Sequence, residues 1–496
     1  MTADVVISKK NEIDLHLDCE QAVLYELQEE FSFDVEGASF APAYRKKHWD
    51  GKIRLVSVAT QTCPAGMVYR LCKWLDRHGY TWEFKDNKFY GVPYEIDEKI
   101  TEDGVRYFMK KIAPGLEPRD YQVETVFSSL KEYRKTIVSP TGSGKSMMIY
   151  AIARYLTAIG KRTLIVVPTK MLVEQMTKDF AEYGWETDDN VHKIYQGHSL
   201  DTKAPVTVST FQSIYGLPKK WFSQFDAVIG DECHNFKAKV LQGIMKKCPD
   251  AKWRYGFTGT LDGKNVNKLI LEGHFGPVFR TTTSSELMDK GFLAQLSVEI
   301  LTLKHNPQAF ATYNEELEYL GELESRNRFI SNLATSLDGN VLVLFTRVDG
   351  HGVPLHDMIS SRTDRPVHMI HGNVDINVRE EVRTIAEKSD NNIILGSYGT
   401  MSTGVNIKRL HHVIFASPSK SRVRVLQSIG RGLRKGKGKD SCILYDIADD
   451  FRKDKYAKEN FTYKHLSDRI KFYVEEDFTY RITTIPMTSS EGELPV

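Results

Sequence analysis

The sequence predicts an α/β protein with two tandem parallel-sheet domains, preceded by a small α/β N-terminal domain and followed by a short helical extension. Length is the first reason: 496 residues exceed what one hydrophobic core supports, so the chain must divide. The second is a series of apolar, β-rich runs between residues 114 and 290, namely TLIVVP, PVTVST, DAVIGD and RYGFTG. They alternate with helical patterns, as in a parallel sheet wrapped by helices. The third is another such series, LSVEILTL, NVLVLFT, PVHMIHG, NNIILGS, HHVIFAS and SCILYDI, over residues 291–447. The two series are similar in size but are not a sequence repeat.

The flanks differ. Residues 1–113 read as short alternating strands with one or two helices and carry no nucleotide motif. Within them FAPAYRKKHWDGKIRLVS sets Arg45, Lys46, Lys47, Lys52 and Arg54 around Trp49. Asp50-Gly51 reads as a tight hairpin turn between two alternating strands. Basic side chains beside an aromatic suit phosphate contact with base stacking or strand splitting, so these six residues are candidate nucleic-acid contacts. A solvated hairpin with Trp49 packed as core is the competing reading. Residues 448–496 read as a charged helical extension docked on the second sheet domain by Phe451, Tyr456, Phe461 and Tyr463. The tail MTSSEGELPV reads as disordered.

Composition excludes some classes. No stretch approaches the roughly 18 apolar residues of a membrane span, and the opening MTADVVISKKNEIDLH lacks the layout of a signal peptide. Cys19, Cys63, Cys72, Cys233, Cys248 and Cys442 form no CxxC pair, which argues against zinc and for a reducing cytoplasm. A net charge of +2 decides little, because a nucleic acid can be served by a local basic face.

The chemistry begins at SPTGSGKS, residues 139–146. The apolar run Thr136-Ile137-Val138 leads into this glycine-rich turn, and a helical pattern follows, which is the context a phosphate cradle needs. Backbone N–H groups of Thr141, Gly142, Ser143 and Gly144 would face ATP phosphates, Lys145 would reach the β- and γ-phosphates, and Ser146 would ligate Mg²⁺. Further on, FDAVIGDECHNF ends a buried strand at Asp231-Glu232, placing two carboxylates at the carboxyl edge of the sheet, where ligands bind in such folds. Asp231 suits Mg²⁺, and Glu232 suits orienting and deprotonating the attacking water. An Asp-Glu pair alone also suits a solvated loop; its position after a phosphate loop favours the site.

In the second series, VLQSIGRGLRKGKGK spaces Gln427, Arg431 and Arg434 as Q-x-x-G-R-x-x-R. Residues 419–439 hold eight Lys or Arg and no acid. A nucleotide kinase has no need of arginines from a second domain, whereas a motor uses them to couple closure to hydrolysis. Lys435, Lys437 and Lys439 read as solvated charge or a nucleic-acid patch.

In order, these motifs resemble those of the superfamily 2 helicases of the DExH type. PRDYQVETV is similar to that family's adenine-recognition motif, SPTGSGKS and DECH to its motifs I and II, and FTGTL to motif III. VLFTR, MIHGNVDINVRE, GSYGTMSTGVNI and QSIGRGLR are similar to its second-domain series. The resemblance implies two RecA-like domains with Arg119 and Gln122 at the adenine. It also implies Thr169, Gln175 and Thr210 along the nucleic-acid track, and Thr258 and Thr260 linking the DECH loop to DNA. His234 would bridge the ATP site to motif III. Ser139 stands where the loop often has Gly or Ala, and Asn406 where motif V often carries Asp.

Over essentially the whole chain, the likeness is to the helicases of this superfamily found in T-even-like bacteriophages. It implies a monomeric, ATP- and Mg²⁺-dependent DNA helicase in the cytoplasm of an infected bacterium, acting on branched, single- and double-stranded DNA and on RNA–DNA hybrids. Expected tasks are Holliday-junction branch migration, fork regression, D-loop and R-loop unwinding and strand annealing, in recombination, replication and repair. Two alternatives stay open on the residues alone: a duplex translocase that does not separate strands, and an annealing module reset by its ATPase.

Overall fold

The computed structural model describes residues 3–35, 37–85, 99–235, 238–261, 265–403, 407, 409–417, 419, 421, 425, 428–430, 433 and 439–487. The chain divides into two compact units, residues 1–139 with 144–281, and residues 140–143 with 282–496.

The first unit opens with strands β1 (Val5–Lys9), β2 (Asp14–Cys19), β3 (Ser32–Asp34), β4 (Lys52–Arg54), β5 (Thr62–Pro64) and β6 (Trp82–Phe84). Four form one sheet in the order β5-β2-β1-β6. Alternation along β2 points Leu15 and Leu17 inward, onto Leu24 and Leu27 of the helix Gln21–Glu30 and Leu71 and Leu75 of the helix Val68–His78. The helix Glu102–Ile112, capped by the Thr101 hydroxyl, packs elsewhere: Val105, Met109 and Ile112 join the core of the following parallel sheet.

That sheet holds β7 (Arg134–Val138), β8 (Thr163–Val167), β9 (Val191–Ile194), β10 (Val206–Thr210), β11 (Ala227–Gly230), β12 (Trp253–Thr258) and β13 (Val278–Arg280), all parallel, in the order β13-β7-β12-β11-β8-β10-β9. Helices cover both faces of such a sheet, so β8, β10 and β11 are buried at every residue.

A buried ion pair fastens the N-terminal sheet to this one. Arg134, at the start of β7, donates to the Glu12 carbonyl at 2.8 Å and to its carboxylate at 2.6 Å. Burial pulls the Arg134 pKa down, and the Glu12 charge opposes that pull. Glu12→Ala strands this cation and is expected to cost about 3 kcal/mol, the low end for a broken buried pair, because the residue 12 carbonyl still accepts one N–H. Urea unfolding of the two proteins measures it.

The second unit is built on β14 (Gln295–Lys304), β15 (Val341–Phe345), β16 (Val367–Ile370), β17 (Ile393–Ser397), β18 (His412–Phe415), β19 (Ser441–Asp450) and β20 (Thr479–Pro486). They form a parallel sheet in the order β16-β17-β15-β18-β19-β14-β20. Every apolar run of both sequence series is a strand here.

The C-terminal extension is more than a helix. After the helix Phe461–Glu475, β20 returns to pair with β14. Its burial pattern is mostly exposed, so TYRITTIP shows no apolar run to betray an edge strand. The expected aromatic docking is corrected too. Phe451 is buried and stacks on His305 at 4.5 Å, and Tyr463 lies under the Arg452 guanidinium. Tyr456, however, is 85% exposed.

Polar groups seat the helix instead. The buried Glu316 carboxylate accepts the backbone N–H of Phe461 and Thr462 at 2.7 and 2.9 Å. Arg469 and Tyr473 both donate to Asp446 at 2.8 Å. Asp446 and Arg469 are fully buried, where each charge requires the other.

Candidate functional site

The carboxyl edge of the first sheet gathers the residues of the phosphate loop and the DECH segment. β7 ends at Val138, and Ser139 is fully buried beyond it, its N–H on the Thr258 carbonyl at 2.9 Å and its hydroxyl receiving that of Thr281 at 3.0 Å. A serine thus serves where a smaller residue is usual, because its hydroxyl is satisfied. Gly142 and Gly144 both take left-handed conformations, at φ +84° and +83°, which glycine adopts without steric penalty. The helix Lys145–Ala158 starts immediately after, so Lys145 and Ser146 occupy its first turn.

Gln122 lies against this loop. Its side-chain oxygen accepts the Arg119 N–H at 3.0 Å, and its amide nitrogen would be 2.3 Å from a Cβ on Gly144. The Arg119 guanidinium donates to the Tyr121 hydroxyl at 2.8 Å. Gly144→Ala therefore combines a steric clash with backbone strain of roughly 1–3 kcal/mol. Nucleotide affinity should drop at least tenfold, as read by titration with a fluorescent ATP analogue; unchanged affinity would mean the loop does not cradle the phosphates.

β11 delivers Asp231 and Glu232. Lys145 is paired with the Glu232 carboxylate, and both side chains are largely buried. The Glu232 backbone stands at φ +48°, an uncommon conformation for a residue with a Cβ and one that clusters at functional sites. Its carboxylate also lies 3.4 Å from His234 Nδ1. Burial pushes the Glu232 pKa up, but the Lys145 and His234 charges overcome it, and the net shift is downward. Asp231 moves the other way, raised by burial and by the neighbouring Glu232 charge despite Lys145. The site therefore keeps an ionised Glu232 beside a buried Asp231. His234 Nδ1 is 2.6 Å from the Thr258 hydroxyl, which in turn donates to the Thr260 carbonyl at 2.7 Å. His234 thus stands between Glu232 and the FTGTL turn.

Farther along the same edge, Thr169 follows β8 and caps the helix Lys170–Glu182 through the Leu172 N–H, while Thr210 ends β10 in register with Val167. The Thr210 hydroxyl shares a hydrogen bond with Ser213 at 2.9 Å. Gln175 is exposed and donates to Asp179 at 2.6 Å. Gln427, Arg431, Arg434 and Asn406 lie outside the described residues.

The basic stretch is not a hairpin with a two-residue turn. β3 and β4 do pair antiparallel, Phe33 opposite Ile53, but residues 35–51 connect them. Pro42 opens the short helix Pro42–Arg45, a helix start that outweighs the Asp-Gly turn signal. Gly51 instead fits beneath Tyr44 and Ala38 at φ +83°. Trp49 is half-buried with its indole N–H on the Lys52 carbonyl at 2.7 Å. Lys52 meets Glu29 at 3.1 Å, and Arg54 is bound to Asp50. Arg45, Lys46 and Lys47 remain exposed, and so does Phe40, an aromatic that the sequence reading did not single out, at 76%. Phe33, Ile53 and Leu55 pack on the core of the first parallel sheet, which therefore carries this loop.

A parallel-sheet domain holding a phosphate-loop lysine opposite an Asp-Glu pair, followed by a second sheet of the same construction, defines a two-domain RecA-like motor of the helicase class. Family models match residues 4–85 (DNA helicase UvsW, N-terminal), 115–263 (type III restriction enzyme, res subunit) and 324–436 (helicase conserved C-terminal domain). The chain is 34% identical over 501 residues to the ATP-dependent DNA helicase uvsW of Enterobacteria phage T4, covering 95% of this chain and 97% of that one. The crystal structure of T4 UvsW matches 98% of this chain and all of its own with a TM-score of 0.52 at 32% identity. A DNA 3'-5' translocase, XPB2, of Sulfurisphaera tokodaii is 28% identical over 53% of this chain and 57% of its own. The chain belongs to the UvsW family of superfamily 2 helicases.

Proposed function

We propose that this protein is an ATP-dependent DNA helicase that works on branched DNA, driven by the site around Lys145 and Glu232. The observation that carries the reading is the placement, at one sheet edge, of a largely buried Glu232 carboxylate between Lys145 and His234, within a chain that belongs to the UvsW family. ATP supplies the phosphoryl group whose transfer to water provides the free energy. Lys145 and the backbone N–H groups of Thr141, Gly142, Ser143 and Gly144 would hold its phosphates, with Arg119 and Gln122 at the base. The two left-handed glycines leave the backbone bare where the phosphates approach, so the residues fit the ligand. Ser146 and Asp231 would hold Mg²⁺; a hydroxyl on a helix's first turn and a carboxylate at the neighbouring strand end form an oxygen donor set that suits it.

Glu232 would orient the attacking water and take its proton. His234 would pass the state of that site to Thr258 and Thr260. Gln427, Arg431 and Arg434, from the second domain, would stabilise charge on the transferring group, a role guanidinium groups fill in comparable motors.

For the nucleic acid we place Thr169, Gln175 and Thr210 on the track. Arg45, Lys46 and Lys47, with Trp49, Lys52 and Arg54 shaping their loop, contact phosphates at the branch, and Phe40 offers a face for stacking. Residues 1–113 would act as the branch-recognition domain, 114–290 and 291–447 as the motor domains and 448–496 as an extension. We further propose that it works as a monomer in the cytoplasm of an infected bacterium, on Holliday junctions, forks, D-loops and R-loops, with a capacity to anneal strands. Affinity that comes from phosphates falls steeply with salt. The test compares stimulation of ATP turnover by forked, four-way and linear DNA: stronger stimulation by the branched forms is expected, and equal stimulation by all three would contradict branch preference.

A further inference from the structure

Where the N-terminal sheet meets the edge strand β13, the surface folds into a cavity of about 450 Å³. The helix Val68–His78 lines it with Arg70, Lys73 and Arg77, spaced three and four apart so that they share one helical face; Lys268 and Arg280 complete the lining. Two carboxylates oppose these five cations. Glu272 is held by Arg70 at 2.7 Å, and Glu30 stands at the rim of the lining without an ion pair among the described residues. Lys73, Arg77, Lys268 and Arg280 likewise make no ion pair with any described residue. Tyr69 is 40% exposed and carries Lys73 over its ring at 5.6 Å. Five cations gathered in a concave site with only two carboxylates to balance them repel one another and focus a positive field outward. The fold gains nothing from that arrangement, but an anionic ligand does.

We propose that this cavity binds the phosphodiester backbone of a second DNA arm. The inference rests on the helicase reading above and adds the place where a branch is sensed. The track residues Thr169 and Thr210 stand at the ends of β8 and β10, whereas the cavity borders β13, at the other side of the sheet. Four to five strand spacings separate them, about 20–24 Å at ~4.8 Å each, comparable with the width of a duplex. A strand lying on the track therefore does not also fill the cavity, while a second arm leaving a junction reaches it. Both places belong to one compact unit, so their separation is built in, and linear DNA engages only one.

The test uses the full-length chain with Lys73→Gln and Arg77→Gln together, both being exposed side chains whose loss leaves the core untouched. Binding of a four-way junction and of a linear duplex is measured against salt concentration. The paired variant is expected to lose junction affinity on the order of tenfold and to flatten the junction's log–log salt slope by about 2, one per lost phosphate contact. Linear-duplex affinity and single-strand-stimulated ATP turnover should stay at wild-type values.

Unchanged junction affinity and slope overturn the proposal. So does an equal loss on linear duplex, which would put the cavity on the track. Inorganic tripolyphosphate that binds wild type but not the variant, with junction affinity unaltered, would assign the cavity to free phosphates and overturn it too. Wild-type protein whose ATP turnover no DNA stimulates is a separate outcome, which sinks the helicase reading itself.

Discussion

Lys145→Ala abolishes DNA-stimulated ATP turnover while DNA binding and its salt sensitivity persist. The lysine is paired with Glu232 in the site, and both acids of the DECH segment feel its charge. Removing it takes away the group that neutralises phosphate charge and leaves Glu232 and Asp231 facing that charge unopposed. A loss of one preorganised electrostatic contact costs about 10²–10³-fold in turnover, and the added repulsion pushes the effect to the upper end. The proposed DNA contacts, in the 45–54 loop and at Thr169 and Thr210, are other residues, so binding should survive. Phosphate release with and without DNA, beside DNA-binding isotherms at several salt concentrations, checks both halves. Normal turnover would remove Lys145 from the site.

Glu232→Gln separates nucleotide binding from hydrolysis. Glutamine nearly matches glutamate in shape and can still accept a hydrogen bond from Lys145, so ATP affinity is retained. What disappears is the carboxylate that takes the proton from water, and with it about 10²–10⁴ in rate. Glu232, kept ionised by the Lys145 and His234 charges, is the carboxylate able to take that proton, and Asp231 is the one proposed for Mg²⁺. Single-turnover hydrolysis with pre-bound ATP measures the chemical step. A variant that hydrolyses at the wild-type rate would assign the base elsewhere.

Local signals in the sequence carried much of this. The phosphate loop is legible because a strand, two glycines at forced left-handed positions and a helix start all fall within a dozen residues. Both parallel sheets are legible because strands covered on both faces are largely apolar, as in Val341–Phe345.

What could not be read depends on distant residues. The Glu12–Arg134 pair spans 122 positions, and nothing local marks either side chain. β20 carries no clear pattern because all of its residues except Ile485 are partly or fully exposed. The loop before β4 was misread because Asp50-Gly51 is a strong turn signal, whereas Pro42 sets a helix start whose effect depends on Tyr44 packing over Gly51. Arg70, Lys73 and Arg77 gain their meaning only from Lys268 and Arg280, which arrive about two hundred residues later.

The central claim is that hydrolysis at the Lys145–Glu232 site drives strands apart. It is tested most directly by following release of a labelled strand from a forked duplex, using wild type and Glu232→Gln with saturating ATP. Release by wild type that requires ATP, and its loss in Glu232→Gln despite intact ATP and DNA binding, is the result this account predicts. Wild-type ATP turnover without any strand release, as a duplex translocase would give, or equal release by both proteins, would contradict it.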